Sequence, residues 1–180
     1  AWLVLDAKPD AEIGFGLTRA ASTEELREAA LDGSIEALVD WRAPQTGDVW
    51  YSEAGTIHAL GPGLAIVEVQ QNVDLTYRLY DYGRARELHL EAGLAVARGV
   101  PHVPTAPWRK FMMDRVGRGP RRTEGACWAV ILRGSVLAQG TEMKASEVWH
   151  LDAAADIEVA AGGDVLLAYP RNAVASSSAV

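Results

Sequence analysis

The sequence has 180 residues, enough to bury one good core or two small ones. With 49% apolar and 23% charged residues it has the balance of a globular chain, and its formal net charge of -7 argues against general nucleic-acid binding, which needs a basic face. A single cysteine, Cys127, excludes an intrachain disulfide framework and suits a reducing, cytoplasmic compartment. No apolar run has the length to span a bilayer and no signal peptide is visible, so neither nucleic acid nor membrane is an expected partner.

Ala1 to Asp6 predicts a strand from the very first residue, with no initiator methionine and no lead-in, the pattern of a fragment or a trimmed product. Ala7 to Gly16 mixes polar and apolar residues around a turn at Lys8-Pro9-Asp10. Ser22-Thr23-Glu24-Glu25 has capping-box spacing, and Leu26, Ala29, Ala30 and Leu31 then give a helical apolar face. Gly33 suits the left-handed position that ends such a helix. Ser34 is placed to cap a second short helix carrying Ile35, Leu38 and Val39, and the helical pair is expected to pack on a barrel. The acidic residues from Ser22 to Glu36 are a solvated face and carry no assigned role.

Two strands, Val49 to Tyr51 and Leu64 to Val69, flank a glycine-punctuated segment. Gly55 stands three residues before His58, where a tight turn needs a residue tolerant of unusual backbone angles. That puts His58 where a turn hands over to a strand, at the mouth of a barrel. An imidazole there can ligate a metal, although a lone histidine is more often structural or exposed. Glu68, Asp74 and Arg78 follow at even separations. On an unbroken strand all would face the same side as His58, but a turn at Asn72-Val73 would spoil that count. The other reading of Asp74 and Arg78 is a salt bridge holding the barrel mouth. Glu87 to Arg98 has helical spacing through Leu88, Leu90, Leu94 and Val96. His89 and His102 lack partners with metal-ligand spacing and carry no assigned role.

Proline density makes residues 101–107 an extended connector after a first unit of residues 1–100. Residues 108–170 predict an all-β second unit with strands at Phe111 to Val116, Gly125 to Arg133, Ser135 to Gln139, Glu147 to Leu151, Ile157 to Ala160 and Val165 to Tyr169. Turns are expected at Gly117-Arg118-Gly119-Pro120, Arg133-Gly134-Ser135 and Ala161-Gly162-Gly163-Asp164. Cys127 lies in an apolar run and is expected to be a buried, inert thiol. Arg115, Arg118, Arg121 and Arg122 form a basic cluster at a turn, either a solvated loop or an attractor for a sugar phosphate. Residues 171–180 are a tail.

Gly47, Gly55 and His58 keep the spacing of the second conserved motif of the cupin β-barrels, with Glu53 in place of the usual proline and Pro62 where many cupins have asparagine. The longer string Ala54-Gly55-Thr56-Ile57-His58-Ala59-Leu60-Gly61, then Glu68 to Asn72, Asp74 to Asp81 and Glu87-Leu88-His89-Leu90, resembles type I mannose-6-phosphate isomerase in its bacterial form. The likeness covers most of the chain to about residue 100. It implies a mainly β fold, a cupin-type jelly-roll double β-barrel with a small helical insertion at about residues 22–40, whose second barrel is degenerate. It also implies metal-assisted interconversion of mannose 6-phosphate and fructose 6-phosphate through an enediol, with a phosphorylated hexose as substrate and zinc as cofactor. In the family's pattern His58 is one metal ligand. The other three, a glutamine, a histidine and a glutamate, have no counterpart in this chain. By the same resemblance Arg78 stabilises the enediolate or orients substrate, and Asp74 and Glu68 serve acid–base or orienting roles. Without the missing ligands the alternative is a non-catalytic cupin that binds sugar or only retains the fold.

Overall fold

The computed structural model describes residues 1–73, 75–103 and 110–170. It divides into two compact units, Ala1–Thr105 and Ala106–Val180. Both are dominated by antiparallel strands, so the expected mainly β architecture holds.

The first unit is a sandwich of two three-stranded sheets. In one, β1 (Trp2–Ala7) lies between β4 (Val49–Trp50) and β6 (Leu64–Glu68). In the other, β2 (Ile13–Leu17) lies between β3 (Val39–Arg42) and β5 (His58–Leu60). Trp2 and Val4 from β1 meet Ile13 and Phe15 from β2, and Trp50, Leu64 and Ile66 close the layer. Alternate residues of each strand therefore supply one shared core. Every residue of β2 is buried, including two glycines. A side chain at Gly14 would begin 2.5 Å from Val39 Cγ1, so glycine is what lets β3 lie this close.

Helix α1 (Thr23–Asp32) starts as its sequence predicts. Ser22 is the N-cap, and its hydroxyl accepts the Glu25 N–H at 3.1 Å. Gly33 ends the helix at φ 87°. Helix α2 is a single turn (Ile35–Leu38). Ser34 makes no side-chain cap bond, and Val39 opens β3 instead of extending the helix. Helix α3 (Leu90–Val96) begins three residues later than the spacing from Glu87 suggests. Leu26, Leu94 and the half-buried Leu79 and Leu90 pack these helices against Leu17 and Val39 of the sandwich.

The second unit is a six-stranded antiparallel sheet. Its order is β10 (Thr141–Lys144), β9 (Ser135–Ala138), β12 (Asp156–Pro170), β8 (Cys127–Arg133), β11 (Val148–Leu151), with β7 (Phe111–Arg122) on the other side of β12. β12 pairs first with β9 and then with β8, so the sheet curls about one core of Ile131, Val136, Met143, Ile157, Val165 and Leu167. Two predicted turns are corrected here. Residues 117–120 stay inside β7 and residues 161–164 stay inside β12. The register slips between Val159 and Asp164, a large bulge that absorbs Gly162 and Gly163 without ending the strand. Cys127 is buried in this core, and burial pushes its thiol upward, away from reactivity. No helix among the described residues is long and apolar enough to cross a membrane.

Candidate functional site

The indole of Trp2 is the centre of the site that the first unit builds. The β1 register sets Trp2 opposite Glu68 on one side and Trp50 on the other. Its Nε1–H donates to Glu68 Oε1 at 3.0 Å. The His58 ring meets the Trp2 ring edge-on at 5.2 Å between centroids. Below them Phe15, paired with His58 across β2 and β5, touches Trp2 and Trp50 at 5.5 Å and His102 at 4.4 Å. Edge-to-face contacts of this kind suit the ring quadrupoles. His58 and Glu68 are exposed while Trp2 and Phe15 are buried, so an aromatic floor gives way to a polar edge.

Local backbone fixes the His58 imidazole. Its Nδ1 lies 2.8 Å from the carbonyl oxygen of Thr56. A carbonyl can only accept, so Nδ1 carries the proton and Nε2 keeps its lone pair. Nε2 has no hydrogen-bond partner among the described residues. Metal-ligating histidines are held by this same outer hydrogen bond. The ligand count does not follow, because no group of three or more His, Cys, Asp or Glu among the described residues is placed to hold a metal. One imidazole fits a metal's needs and the rest of the set is not completed here.

Glu68 shares the Trp2 indole with His58, but the even-spacing argument is corrected for both Glu68 and Arg78, since His58 and Glu68 stand on strands of different sheets. β6 ends at Glu68, and none of the described residues from 69 to 89 is in a strand. Asp74 lies outside the described residues. Arg78 is half-buried on the helical side of the unit. Its guanidinium donates to the Glu87 carbonyl at 2.9 Å and comes within 3.8 Å of Asp81, and its backbone N–H donates to His89 Nδ1 at 3.1 Å. None of its hydrogen bonds or ion pairs among the described residues is with His58 or Glu68.

Asp81 is the residue that sequence reasoning missed. Only 4% exposed, its carboxylate takes hydrogen bonds from Arg86, one of them at 2.8 Å, and lies 3.4 Å from Arg84. The Arg86 bonds hold its carboxyl below the usual range despite burial. The signal was available, since arginines stand three residues before, three after and five after it. A second missed group is His102. Burial lowers its pKa, Arg42 and Arg98 add to that, and Glu53 opposes it. The basic cluster is also corrected. Arg115, Arg118, Arg121 and Arg122 all lie along β7 and not at a turn, and Arg115, Arg121 and Arg122 pair with Asp164, Asp114 and Asp156. Among the described residues only Arg118 of these four has no such ion pair, and no unpaired cluster is left to attract a phosphate.

Comparison with known proteins agrees with the sequence resemblance. No family model matches the chain. It is 40% identical over 109 residues to mannose-6-phosphate isomerase ManA of Bacillus subtilis, covering 57% of this chain and 34% of that protein. It is 40% identical over 114 residues to mannose-6-phosphate isomerase of Streptococcus mutans, covering 59% of this chain and 36% of that one. The crystal structure of the mannose 6-phosphate isomerase from Bacillus subtilis superposes with a TM-score of 0.76 at 26% identity, over 93% of this chain and 63% of that one. The chain is therefore similar to these isomerases in sequence and fold. The matched stretch spans about a third of the curated relatives' length.

Proposed function

We propose that the protein carrying this chain interconverts mannose 6-phosphate and fructose 6-phosphate, an aldose–ketose isomerisation, in the cytoplasm. The observation that carries the reading is the 40% identity to ManA over 109 residues. The reaction moves a proton between C1 and C2 through an enediol, so it needs a base and a charge partner for the enediolate oxygen. His58 is the one metal ligand this chain supplies, offered through Nε2. A divalent metal, zinc in this reading, polarises substrate oxygens when bound. The described residues do not complete its site, and no step is assigned to it.

Glu68 and Asp74 are the carboxylates proposed for acid–base or orienting work. Glu68 accepts from the Trp2 indole with one oxygen, which fixes the carboxylate near the His58 ring. Arg78 is proposed to meet the enediolate. It is half-buried, and Asp81 and the Glu87 carbonyl hold it. The test is a coupled fructose 6-phosphate assay with metal analysis on the natural polypeptide. His58→Ala is expected to lose metal and turnover together. Arg78→Ala is expected to lose turnover and keep metal. Full activity in His58→Ala would overturn the ligand role of His58, whereas no turnover by the wild-type polypeptide would overturn the reading and favour a non-catalytic sugar-binding cupin.

A further inference from the structure

We propose that Glu53 and Arg98 are positioning residues for His58, a clamp that holds its imidazole in the Nδ1–H form with Nε2 outward. The proposal rests on the reading of His58 as a functional ligand, but its evidence is geometric. Thr56 fixes His58 through a carbonyl, so whatever fixes Thr56 fixes the imidazole. Thr56 sits in a turn, where its N–H donates to the Glu53 carbonyl at 3.0 Å. The segment after α3 closes over that turn. Arg98 N–H donates to the Gly55 carbonyl at 2.8 Å, and Thr56 and Arg98 form a parallel bridge. The side chains then lock the same two segments, with Arg98 Nη1 2.6 Å from Glu53 Oε2.

Burial is asymmetric in this pair. The Arg98 side chain is 55% exposed and that of Glu53 only 19%. An ion pair with an exposed partner adds little to stability. Its consequence is geometric, because it joins residues 45 apart in sequence across the turn that aims His58. The ion pair ties the turn to the segment that follows α3. The close approach is tight enough to exclude a side chain at Gly55, whose Cβ would lie 2.4 Å from the Val96 carbonyl oxygen.

The experiment reads the imidazole directly. A long-range proton–nitrogen spectrum of the isotope-labelled natural polypeptide reports the tautomer of His58, with His58→Ala assigning the signal. The wild type is expected in the Nδ1–H form. Arg98→Ala and Glu53→Gln are each expected to lower the ratio of Nδ1–H to Nε2–H about fivefold, the ratio equivalent to one ordinary hydrogen bond. Arg98→Lys and the exchanged pair Glu53→Arg with Arg98→Glu are expected to recover most of it. A merely structural clasp would lower the melting temperature and leave the tautomer ratio unchanged, and that result overturns the proposal. Glu53→Gln keeps the side-chain shape, so it serves if Arg98→Ala unfolds. Metal analysis of His58→Ala is a separate reading. Unchanged metal there overturns the ligand role and leaves the clamp result to stand by itself.

Discussion

Gly55→Ala tests how tightly the His58 turn is held. Gly55 has φ 84°, which an L side chain adopts at a cost of about 1 kcal/mol. The new methyl would start 2.4 Å from the Val96 carbonyl oxygen, so the backbone must part by about 1 Å to reach ordinary contact. That displacement breaks the Arg98 N–H bond to Gly55, worth about 1 kcal/mol net. Residual strain brings the expected loss to about 2–4 kcal/mol. Gly83→Ala is the control. Its φ is 72°, but a methyl there meets nothing within 4 Å, so only the conformational cost of about 1 kcal/mol applies. Urea unfolding followed by tryptophan fluorescence measures both, since Trp2, Trp41 and Trp50 all belong to the first unit. The two variants losing the same stability would refute the reasoning, because it would mean that α3 does not press on the turn.

Ser22→Ala is expected to cost about 1 kcal/mol in urea unfolding, because it removes the acceptor of the Glu25 N–H. Ser34→Ala should cost less, since Ser34 makes no side-chain cap bond and its hydroxyl meets the exposed Asp32 carboxylate. For His102, burial lowers the folded pKa below 6.5, so the unfolded chain takes up the proton first. Stability should therefore be full above about pH 6.5 and fall as pH drops toward the folded value, and His102→Gln should flatten that slope in melting curves taken at successive pH values.

How much of this fold was legible depended on whether local chemistry and tertiary setting agreed. Helix α1 was legible to the residue at both ends, because Ser22, Glu25 and Gly33 make its end bonds from the helix's own neighbourhood. Strand β2 was not. Gly14 and Gly16 remove the alternation that marks a strand, and the reason for them is a neighbour twenty or more residues away. Gly14 lies under Val39, and Gly16 lies against His102, whose backbone nitrogen is 2.4 Å from where a Cβ would sit. The second unit shows the opposite error. Gly117, Gly119 and Pro120 are turn residues by chemistry, yet β7 runs through them. Among the described residues β7 pairs only with β12, and a proline on an edge strand leaves no ladder bond unmade.

The site divides in the same way. Glu68 comes beside His58 for a reason its even spacing does not supply, because His58 is on β5 and Glu68 on β6, strands of different sheets with a turn between them; it is the register of β6 against Trp2 that brings the carboxylate to the indole that His58 also touches. Past Glu68 an even count reports no face either, since side chains alternate only while the ladder continues. Arg78 is held by different chemistry. Asp81 is buried, so its charge demands compensation, and Arg78, Arg84 and Arg86 fold around it, which draws the segment toward Leu79, Leu90 and α3. The buried carboxylate, and not strand periodicity, is what fixes where Arg78 can reach. A guanidinium tethered at 3.8 Å to Asp81 and at 2.9 Å to a carbonyl has several donors left to give. In the proposed function those remaining donors are the ones offered to the enediolate.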